Sequence, residues 1–296
     1  MIDFFELARN QHFPKGALYV IATPIGNLAD ISIRALHSLT IVDGIACEDK
    51  RHTGSLLASY GISKPLLTIH QHNEYEGAAT LIEKLKSGER WAYVSDAGTP
   101  GISDPGSILV EQAHEQGIPV IPIPGSSALT VAVSASGSLL RNQDGHFQFL
   151  GFLPNKPSQR DETLKQIEQA TIGTFFYEAP HRIRETLLAI TKIFTGARKI
   201  QIAKELTKLH ENIVVILISE LHEWILNNEN WQGEFVIGIE AAPQSAPSLF
   251  TPEIEAWTKL LEDKIGHKEL SEILARQYGL SKKEAYQFLL DRKNSQ

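Results

Sequence analysis

The chain has 296 residues, of which 42% are hydrophobic and 21% charged, and its formal net charge at pH 7 is −7. This length is enough for two sizeable hydrophobic cores, and the composition is typical of a folded globular protein and excludes a disordered one. The negative charge excludes a simple polycation, although basic residues outnumber acidic ones between residues 141 and 210.

The sequence shows no targeting segment and contains one cysteine. No apolar run is long enough to span a membrane, and the first residues lack the basic and apolar segments of a signal peptide. The one cysteine, Cys47, excludes an internal disulfide and a cysteine-rich zinc site. We therefore expect a cytoplasmic protein without a membrane association and without a bound metal.

Strand-like and helix-like segments alternate over the first 125 residues. The predicted strands are "ALYVIA" (17–22), "IVDGIAC" (41–47), "LLTI" (66–69), "WAYVSD" (91–96) and "PVIPI" (119–123). Between them lie segments such as "GAATLIEKLKSG" and "SILVEQAHEQG", with apolar residues at helical spacing and glycine at the end. This alternation predicts a mainly parallel sheet covered by helices.

A second set of elements follows "PGSSALTVAVSASG" (124–137), which predicts a turn and a helix capped by serine. The strands "FQFLGFL", "GTFFYE", "KIQIAKEL", "NIVVILIS" and "EFVIGIE" and the helices between them predict a second, mixed-sheet α/β domain. After the linker-like "AAPQSAPS" (241–248), two amphipathic helices flank "YGLS", with Leu270, Ile273, Leu274 and Tyr278 on one packing face. We thus predict two α/β domains, residues 1–123 and 124–243, and a helical module at 250–296.

Three glycine-rich loops follow predicted strands, in "VIATPIGNLADISIRAL", "VSDAGTPGISDPGSIL" and "IPIPGSSALTVA". Ligands of open parallel sheets bind beyond the carboxyl ends of the strands, so three such loops favour a shared ligand cleft over three ordinary turns. Neither a P-loop pattern nor G-x-G-x-x-G is present, which disfavours a nucleoside triphosphate or a dinucleotide. Asp96 and Asp104 are interpreted as organisers of the second loop.

Polar clusters also stand at predicted strand ends, in "CEDKRHT" (47–53), "HQHNE" (70–74) and "KELTKLHE" (204–211). They are candidates for substrate-side chemistry, and a surface network of ion pairs is the alternative. We expect His70 and His72, at a predicted strand end, to point to opposite sides, which argues against a metal site.

Several motifs in this order resemble a known family. "ATPIGNLADISIRA" resembles the first loop of the tetrapyrrole methylase superfamily, although Pro24 stands where that superfamily usually has glycine. "AGTPGI" (97–102) is similar to the superfamily's cofactor loop, with Thr99 in place of an aspartate. Together with "CEDKRHT", "HQHNE", "PGSSA", "FYEAPHR", "KELTKLHE" and "GEFV", these motifs resemble the ribosomal RNA small subunit methyltransferase I family from about Ala17 to Glu240.

The resemblance implies two α/β domains of the tetrapyrrole-methylase type, with S-adenosyl-L-methionine folded in the cleft between them. It implies 2′-O-methylation of a decoding-region cytidine in 16S rRNA, presented within the small ribosomal subunit, by a homodimer. Backbone groups of Gly98, Thr99 and Ile102 would reach the cofactor. The other cofactor contacts carried over by motif are Pro24, Ser127, Ala128, Tyr177, Leu206 and Glu234.

The polar clusters supply the candidates for chemistry. Glu48, Asp49 and Lys204 are the catalytic candidates, without one base being singled out. The substrate-binding candidates are Arg51, His72, Asn73, Glu74, Lys282 and Lys283, the last two in the C-terminal helix pair, for which a plain packing module is the alternative.

Two other functions remain open at this point. A tetrapyrrole-precursor methyltransferase would share the fold and cofactor, but it has no use for the C-terminal helices and usually keeps G-x-G-P-G-D in its first loop. A non-catalytic S-adenosylmethionine-binding or RNA-binding assembly factor would not need the three polar clusters.

Overall fold

The structure is a computed structural model that describes residues 6–141, 143–194, 196–243, 252–262 and 264–294. The chain divides into two compact units, one ending at Ala242 and one beginning at Pro243. Within the described ranges, no helix has the length and apolar character needed to cross a bilayer.

The first sheet of the first unit is parallel throughout and has the order β3-β2-β4-β1-β5. Its strands are β1 (Leu18–Ile21), β2 (Gly44–Cys47), β3 (Leu66–Thr68), β4 (Trp91–Val94) and β5 (Val120–Ile123). The helices along this part are α1 (Glu6–Arg9), α2 (Ile33–Ile41), α3 (Lys50–Ser59), α4 (Glu74–Lys86) and α5 (Ser107–Glu115). Because β4, β1 and β5 are neighbours and parallel, the three glycine-rich loops that follow them leave the sheet at one edge.

The second strand is shorter than the sequence predicts. Ile41 is the last residue of α2, so the strand begins at Gly44 and not at Ile41. Gly44 lies against the indole of Trp91, where a Cβ would come within 2.4 Å of Cη2. The close packing of the strand on Trp91 therefore requires glycine at its first position.

The second sheet is mixed, as predicted, with the order β6-β7-β10-β8-β9. Its strands are β6 (Phe147–Phe152), β7 (Gly173–Glu178), β8 (Lys199–Lys204), β9 (Asn212–Leu217) and β10 (Phe235–Ile239), and only β6 and β7 pair in parallel. The helices are α6 (Ala128–Ser134), α7 (Pro157–Gln169), α8 (Ile183–Ile193) and α9 (Ile218–Asn227). The two sheets lie on either side of the predicted boundary between residues 123 and 124, and both belong to the first unit.

Helix α9 is missing from the sequence prediction, which ran β9 on through Ser219. The strand ends at Leu217, and Ile218 already begins the helix. Ile218, Leu221 and Ile225 are buried at spacings of three and four. That spacing is the helical signal that the strand-like "NIVVILIS" obscured.

The second unit consists of α10 (Pro252–Leu261), α11 (His267–Tyr278) and α12 (Lys282–Asn294). Its core contains Ile254, Leu270, Leu274, Ala285 and Leu289. The helix α10 was not predicted as a separate element. Ile273 was placed on the packing face, but its side chain is 47% exposed. Ser281 caps α12 as expected, because its hydroxyl accepts a hydrogen bond from the backbone of Glu284.

Candidate active site

The loops after β1, β4 and β5 are tied to one another by hydrogen bonds. Thr23 and Gly98 exchange two backbone bonds, of 2.8 Å and 3.1 Å between nitrogen and oxygen. The hydroxyl of Thr99 donates to the carbonyl of Ser126 at 3.0 Å. The second loop is therefore fixed to both of its neighbours.

A cavity of about 420 Å³ is bounded by these loops on one side and by ends of the second sheet on the other. All of the cofactor residues implied by the resemblance line it except Pro24, whose place is taken by Ile25. Those that line it are Gly98, Thr99, Ile102, Ser127, Ala128, Tyr177, Leu206 and Glu234. The sequence motifs thus converge on one cavity, and direct contact of each residue with a cofactor stays a prediction.

Two backbone N–H groups of the second loop are engaged within the protein, and contact of the loop's other backbone groups with a cofactor stays a prediction. The N–H of Gly98 donates to Thr23, and the N–H of Ile102 donates to the carbonyl of Thr99 at 3.3 Å. Each N–H carries one proton, so these two donors are already engaged within the protein. The shape of Gly98 also matters: its φ is +81°, and a Cβ would lie 3.3 Å from Cγ2 of Ile25.

The walls of the cavity combine apolar, aromatic and acidic groups. Ile25, Ala128 and Leu206 supply apolar surface, and the Tyr177 ring packs edge-on against Phe149 at 4.8 Å between centroids. The acidic side chains Asp96, Asp104, Glu178 and Glu234 also line it. Apolar surface, an aromatic ring and carboxylate acceptors fit a ligand with an aromatic base, ribose hydroxyls and a positive charge, as S-adenosylmethionine has. A polyphosphate would be repelled by the carboxylates.

Glu48, at the end of β2, borders this cavity without lining it. Its Oε1 accepts a hydrogen bond of 3.4 Å from the backbone N–H of Asp96, which does line it. Burial, together with the charges of Asp104, Asp96 and Glu74, raises the pKa of Glu48 to about 7.

Asp104 is a site residue that sequence reasoning undervalued. It lines the cavity, and burial raises its pKa to about 6, with Asp96 adding repulsion and a hydrogen bond from Ser95 opposing the rise. A carboxyl group with a raised pKa in a ligand-sized cavity is a candidate proton acceptor. No local sequence signal separates it from an ordinary turn aspartate, because its pKa depends on groups brought near by the fold.

Asp49 and Arg51 lie at the start of α3 and interact mainly with each other. The Asp49 carboxylate caps the helix by accepting from the N–H of Arg51 at 2.7 Å, and the two side chains form an ion pair of 3.0 Å. The hydrogen bonds from Arg51 lower the pKa of Asp49 to about 2. A carboxylate with so low a pKa is a weak base, so the structure favours Glu48 over Asp49 as a proton acceptor.

The segment from His70 to Asn73 forms a turn, not a strand end. The prediction that His70 and His72 point to opposite sides is wrong, because residues two apart in a strand share a face and because strand β3 already ends at Thr68. Their rings lie 5.9 Å apart, and the N–H of His72 donates to Nδ1 of His70. Asn73 closes the turn by accepting from the N–H of His70 at 2.8 Å and donating to the carbonyl of Thr68 at 3.1 Å. In the part of the chain that the structure describes, no group of three or more His, Cys, Asp or Glu side chains is arranged to hold a metal ion.

Glu74 forms hydrogen bonds with the end of the second loop and the start of α5. Its side chain is buried, and Oε1 accepts hydrogen bonds from the N–H groups of Gly106 at 2.9 Å and Ile108 at 3.2 Å. These bonds fix the start of α5, next to Asp104. Both contacts are structural, and a contact of Glu74 with substrate remains a prediction.

A lysine joins the two halves of the first unit at the rim of the cavity. The ammonium of Lys208 pairs with Glu205 at 2.8 Å and with Glu234 at 3.0 Å. Its aliphatic stem covers Gly26 of the first loop, where a Cβ would come within 2.3 Å of Cγ.

The remaining candidates are Lys204 in the first unit and Lys282 and Lys283 in the second. Lys204 lines a second cavity of about 290 Å³, to which Phe235 also contributes, whereas Glu48 is bonded to Asp96 of the first cavity. Lys282 and Lys283 are exposed at the start of α12 in the second unit, and Lys282 pairs with Glu272 at 2.8 Å.

The fold and the loop-lined cavity agree with comparisons against known proteins. The family model of tetrapyrrole (corrin/porphyrin) methylases matches residues 17–222. Cobalt precorrin-4 methyltransferase has a similar fold, with a TM-score of 0.55 at 16% identity over 77% of this chain and 98% of that one. The uroporphyrin-III C-methyl transferase of Thermus thermophilus, complexed with S-adenyl homocysteine, gives 0.52 at 14% identity over 76% and 97%. The chain belongs to the tetrapyrrole methylase family.

Relatives define the branch of this family more narrowly. The protein of Haemophilus influenzae that is named ribosomal RNA small subunit methyltransferase I is 43% identical to this chain, over 92% of this chain and 96% of the relative. The corresponding protein of Escherichia coli O157:H7 is 40% identical over 94% and 96%, and that of Synechocystis is 38% identical over 93% and 98%. Within the methylases, the chain is thus a member of the ribosomal RNA small subunit methyltransferase I family.

Proposed function

We propose that this chain transfers a methyl group from S-adenosyl-L-methionine to the 2′-hydroxyl of a cytidine ribose in the decoding region of 16S rRNA. The observation that carries the proposal is the loop-lined cavity with the proton acceptors Glu48 and Asp104 at its border, in a chain whose relatives are named as small-subunit rRNA methyltransferases. The low identity to the tetrapyrrole enzymes supports a shared fold only.

The cofactor, when bound, supplies a methyl group on a positively charged sulfur. The chain must then hold the ribose hydroxyl in line with that methyl group, exclude competing water and remove one proton. Bound there, the cofactor would supply an electrophilic methyl group and a neutral thioether leaving group, so the proton of the ribose hydroxyl is the one that the chain must accept.

The proton of the ribose hydroxyl passes to the carboxylate pair of Glu48 and Asp104. A base works best when its pKa lies near the working pH, and the values of about 7 and about 6 meet that condition. Burial is the main cause of both raised pKa values, and the charge of Asp104 adds to the rise at Glu48.

The three hydrogen-bonded loops and the ends of the second sheet bind the cofactor. Ala128 and Leu206 offer apolar contacts, Tyr177 an aromatic face for the base, and Asp96 an acceptor for hydroxyl groups. The acidic lining favours the cationic cofactor over its neutral product, which aids product exchange.

A tritiated-methyl assay tests the function directly. Naked rRNA, small ribosomal subunits and a tetrapyrrole precursor are offered side by side, and labelled RNA is digested to nucleosides. We expect label in 2′-O-methylcytidine from the small subunits. Label in the tetrapyrrole, or in another nucleoside, contradicts the proposal.

We extend the proposal to a cytoplasmic homodimer that acts on the small subunit, as the resemblance implies. Leu209, 93% exposed in the loop after β8, is an apolar side chain that a second copy would cover. Light scattering at micromolar concentration should give twice the chain mass, and a monomer mass contradicts the dimer.

A further inference from the structure

The second cavity differs from the first in its chemistry. It lies beside β8 and α9, and Phe235 contributes to the walls of both cavities, which are therefore neighbours. No acidic residue lines the second cavity, whereas acidic side chains line the first. Its volume of about 290 Å³ lies just below the usual range of small-molecule sites, roughly 300–1,000 Å³, and suits a ligand no larger than one nucleotide.

The polar groups of this cavity can read the edge of a nucleobase. Asn212 and Asn228 face it, and their side-chain amides form no hydrogen bond with any residue that the structure describes. A side-chain amide presents a donor and an acceptor side by side, which matches the edge of an unpaired base. His210 adds a further donor or acceptor.

One cation and an aromatic wall complete the cavity. Lys204 donates to the carbonyl of Asn230 at 2.9 Å, and two of its three N–H groups remain for a ligand. Its ammonium stands 5.7 Å from the centre of the Phe235 ring. Trp224 is half-buried in the wall and is braced edge-on by Trp231 at 5.8 Å, so it offers a fixed aromatic surface.

We infer that this cavity binds one unpaired nucleotide of the RNA substrate. Asn212 and Asn228 form hydrogen bonds with the edge of its base, and Lys204 pairs with its negatively charged phosphate. The inference rests on the proposed function. Unpaired bases are commonly bound by aromatic surfaces and read by hydrogen bonds along their edges, which is the combination present here. Lys204 is then a substrate-binding residue and not a catalytic one.

Steady-state methylation of small ribosomal subunits tests this role. Asn212→Ala and Asn228→Ala should each raise the KM for subunits about 2- to 12-fold, the effect of losing one neutral hydrogen bond. Lys204→Ala should also raise KM, and all three should keep kcat and cofactor affinity. The matched control is Asn227→Ala, since Asn227 is exposed at the end of α9 and does not line the cavity. Unchanged KM values, or a fall in kcat alone for Lys204→Ala, overturn the inference.

A second measurement separates failure of the cavity from failure of the proposed function. Cytidine 5′-monophosphate is titrated into the full chain while the indole N–H resonances are followed, with Trp224→Phe used for assignment. We expect a shift at Trp224 that is lost in the Asn212→Ala/Asn228→Ala double variant and kept in the control. A parental chain that methylates subunits without this shift overturns the cavity assignment alone. A parental chain that methylates no rRNA overturns the proposed function and this inference with it.

Discussion

The Oε1 atom of Glu48 lies 3.4 Å from the backbone nitrogen of Asp96, so a carboxyl group at the end of β2 is fastened to the loop that lines the cavity. Glu48→Gln keeps the shape and the acceptor oxygen but removes one of the two proposed proton acceptors, the one whose pKa is about 7. We expect kcat to fall about 10²- to 10⁴-fold with cofactor affinity unchanged by calorimetry. The parental rate should rise with pH through about 7, and the variant should lose that rise. Parental turnover in Glu48→Gln would mean that the proton leaves by another route.

The same carboxyl groups predict a pH-dependent stability. The pKa values of Glu48 and Asp104 in the folded protein, about 7 and about 6, lie above the ordinary 4.5 and 3.8. Ionisation therefore favours the unfolded state, and this contribution to stability is complete below about pH 4 and is lost as pH rises through 6 to 7. Glu48→Gln should be more stable than the parent at pH 8, by on the order of 1 kcal/mol after allowance for solvent screening, and little different at pH 4. Denaturant unfolding at both pH values measures this, and equal stabilities at pH 8 would contradict the raised pKa.

Gly98 and Gly101 form a matched pair for testing the second loop. Their φ angles are +81° and +82°, so alanine at either position meets a similar backbone penalty of about 1–2 kcal/mol. A Cβ at Gly98 meets Ile25 in the cavity wall, whereas a Cβ at Gly101 meets nothing within 4 Å. We expect Gly98→Ala to weaken cofactor binding in calorimetry at least severalfold more than Gly101→Ala. Equal affinities in folded variants would remove Gly98 from the site.

Two substitutions at Glu74 distinguish a structural role of this residue from a substrate-binding role. Glu74→Ala leaves the N–H groups of Gly106 and Ile108 without their acceptor and should lower the free energy of unfolding by about 1–3 kcal/mol. Glu74→Gln keeps an acceptor oxygen and should retain most of that stability and the KM for subunits. If Glu74→Gln folds as stably as the parent but loses subunit binding, the carboxylate contacts substrate directly.

The C-terminal unit offers a test of RNA binding by charge. Lys283 is exposed and pairs with no acidic side chain within the described residues, whereas Lys282 pairs with Glu272. Lys283→Glu should weaken subunit binding and lower the slope of affinity against salt concentration by about 1, without affecting cofactor affinity. Glu255→Lys, at an exposed acidic position of α10, serves as a charge-altered control. Equal salt slopes for parent and Lys283→Glu would exclude a phosphate contact at this residue.

Much of the fold was predictable because its signals are local. Alternating apolar strands and glycine-ended helices predicted the parallel sheet, and the glycine-rich loops predicted a cavity at its edge. The errors lie where one pattern masks another: the apolar residues of β9 run directly into α9, and Ile41 belongs to α2 although it is followed by a strand. The role of Asp104 was not predictable, since its raised pKa depends on burial and on Asp96, and not on any sequence pattern. Lys204 lines the second cavity, which its sequence did not predict, because a strand-end position does not reveal which face of the sheet a side chain serves.

Because the stem of Lys208 lies against Gly26, a change at one of these two positions affects the other, although they are far apart in the sequence. A side chain at position 26 displaces the lysine stem, and the displaced ammonium can no longer hold Glu234 at the cavity rim. A larger residue at position 26 would strain the backbone, since φ of Gly26 is +151°, and would also require the Lys208 side chain to move or to be replaced by a shorter one. Covariation of these two sites across the family would record this constraint.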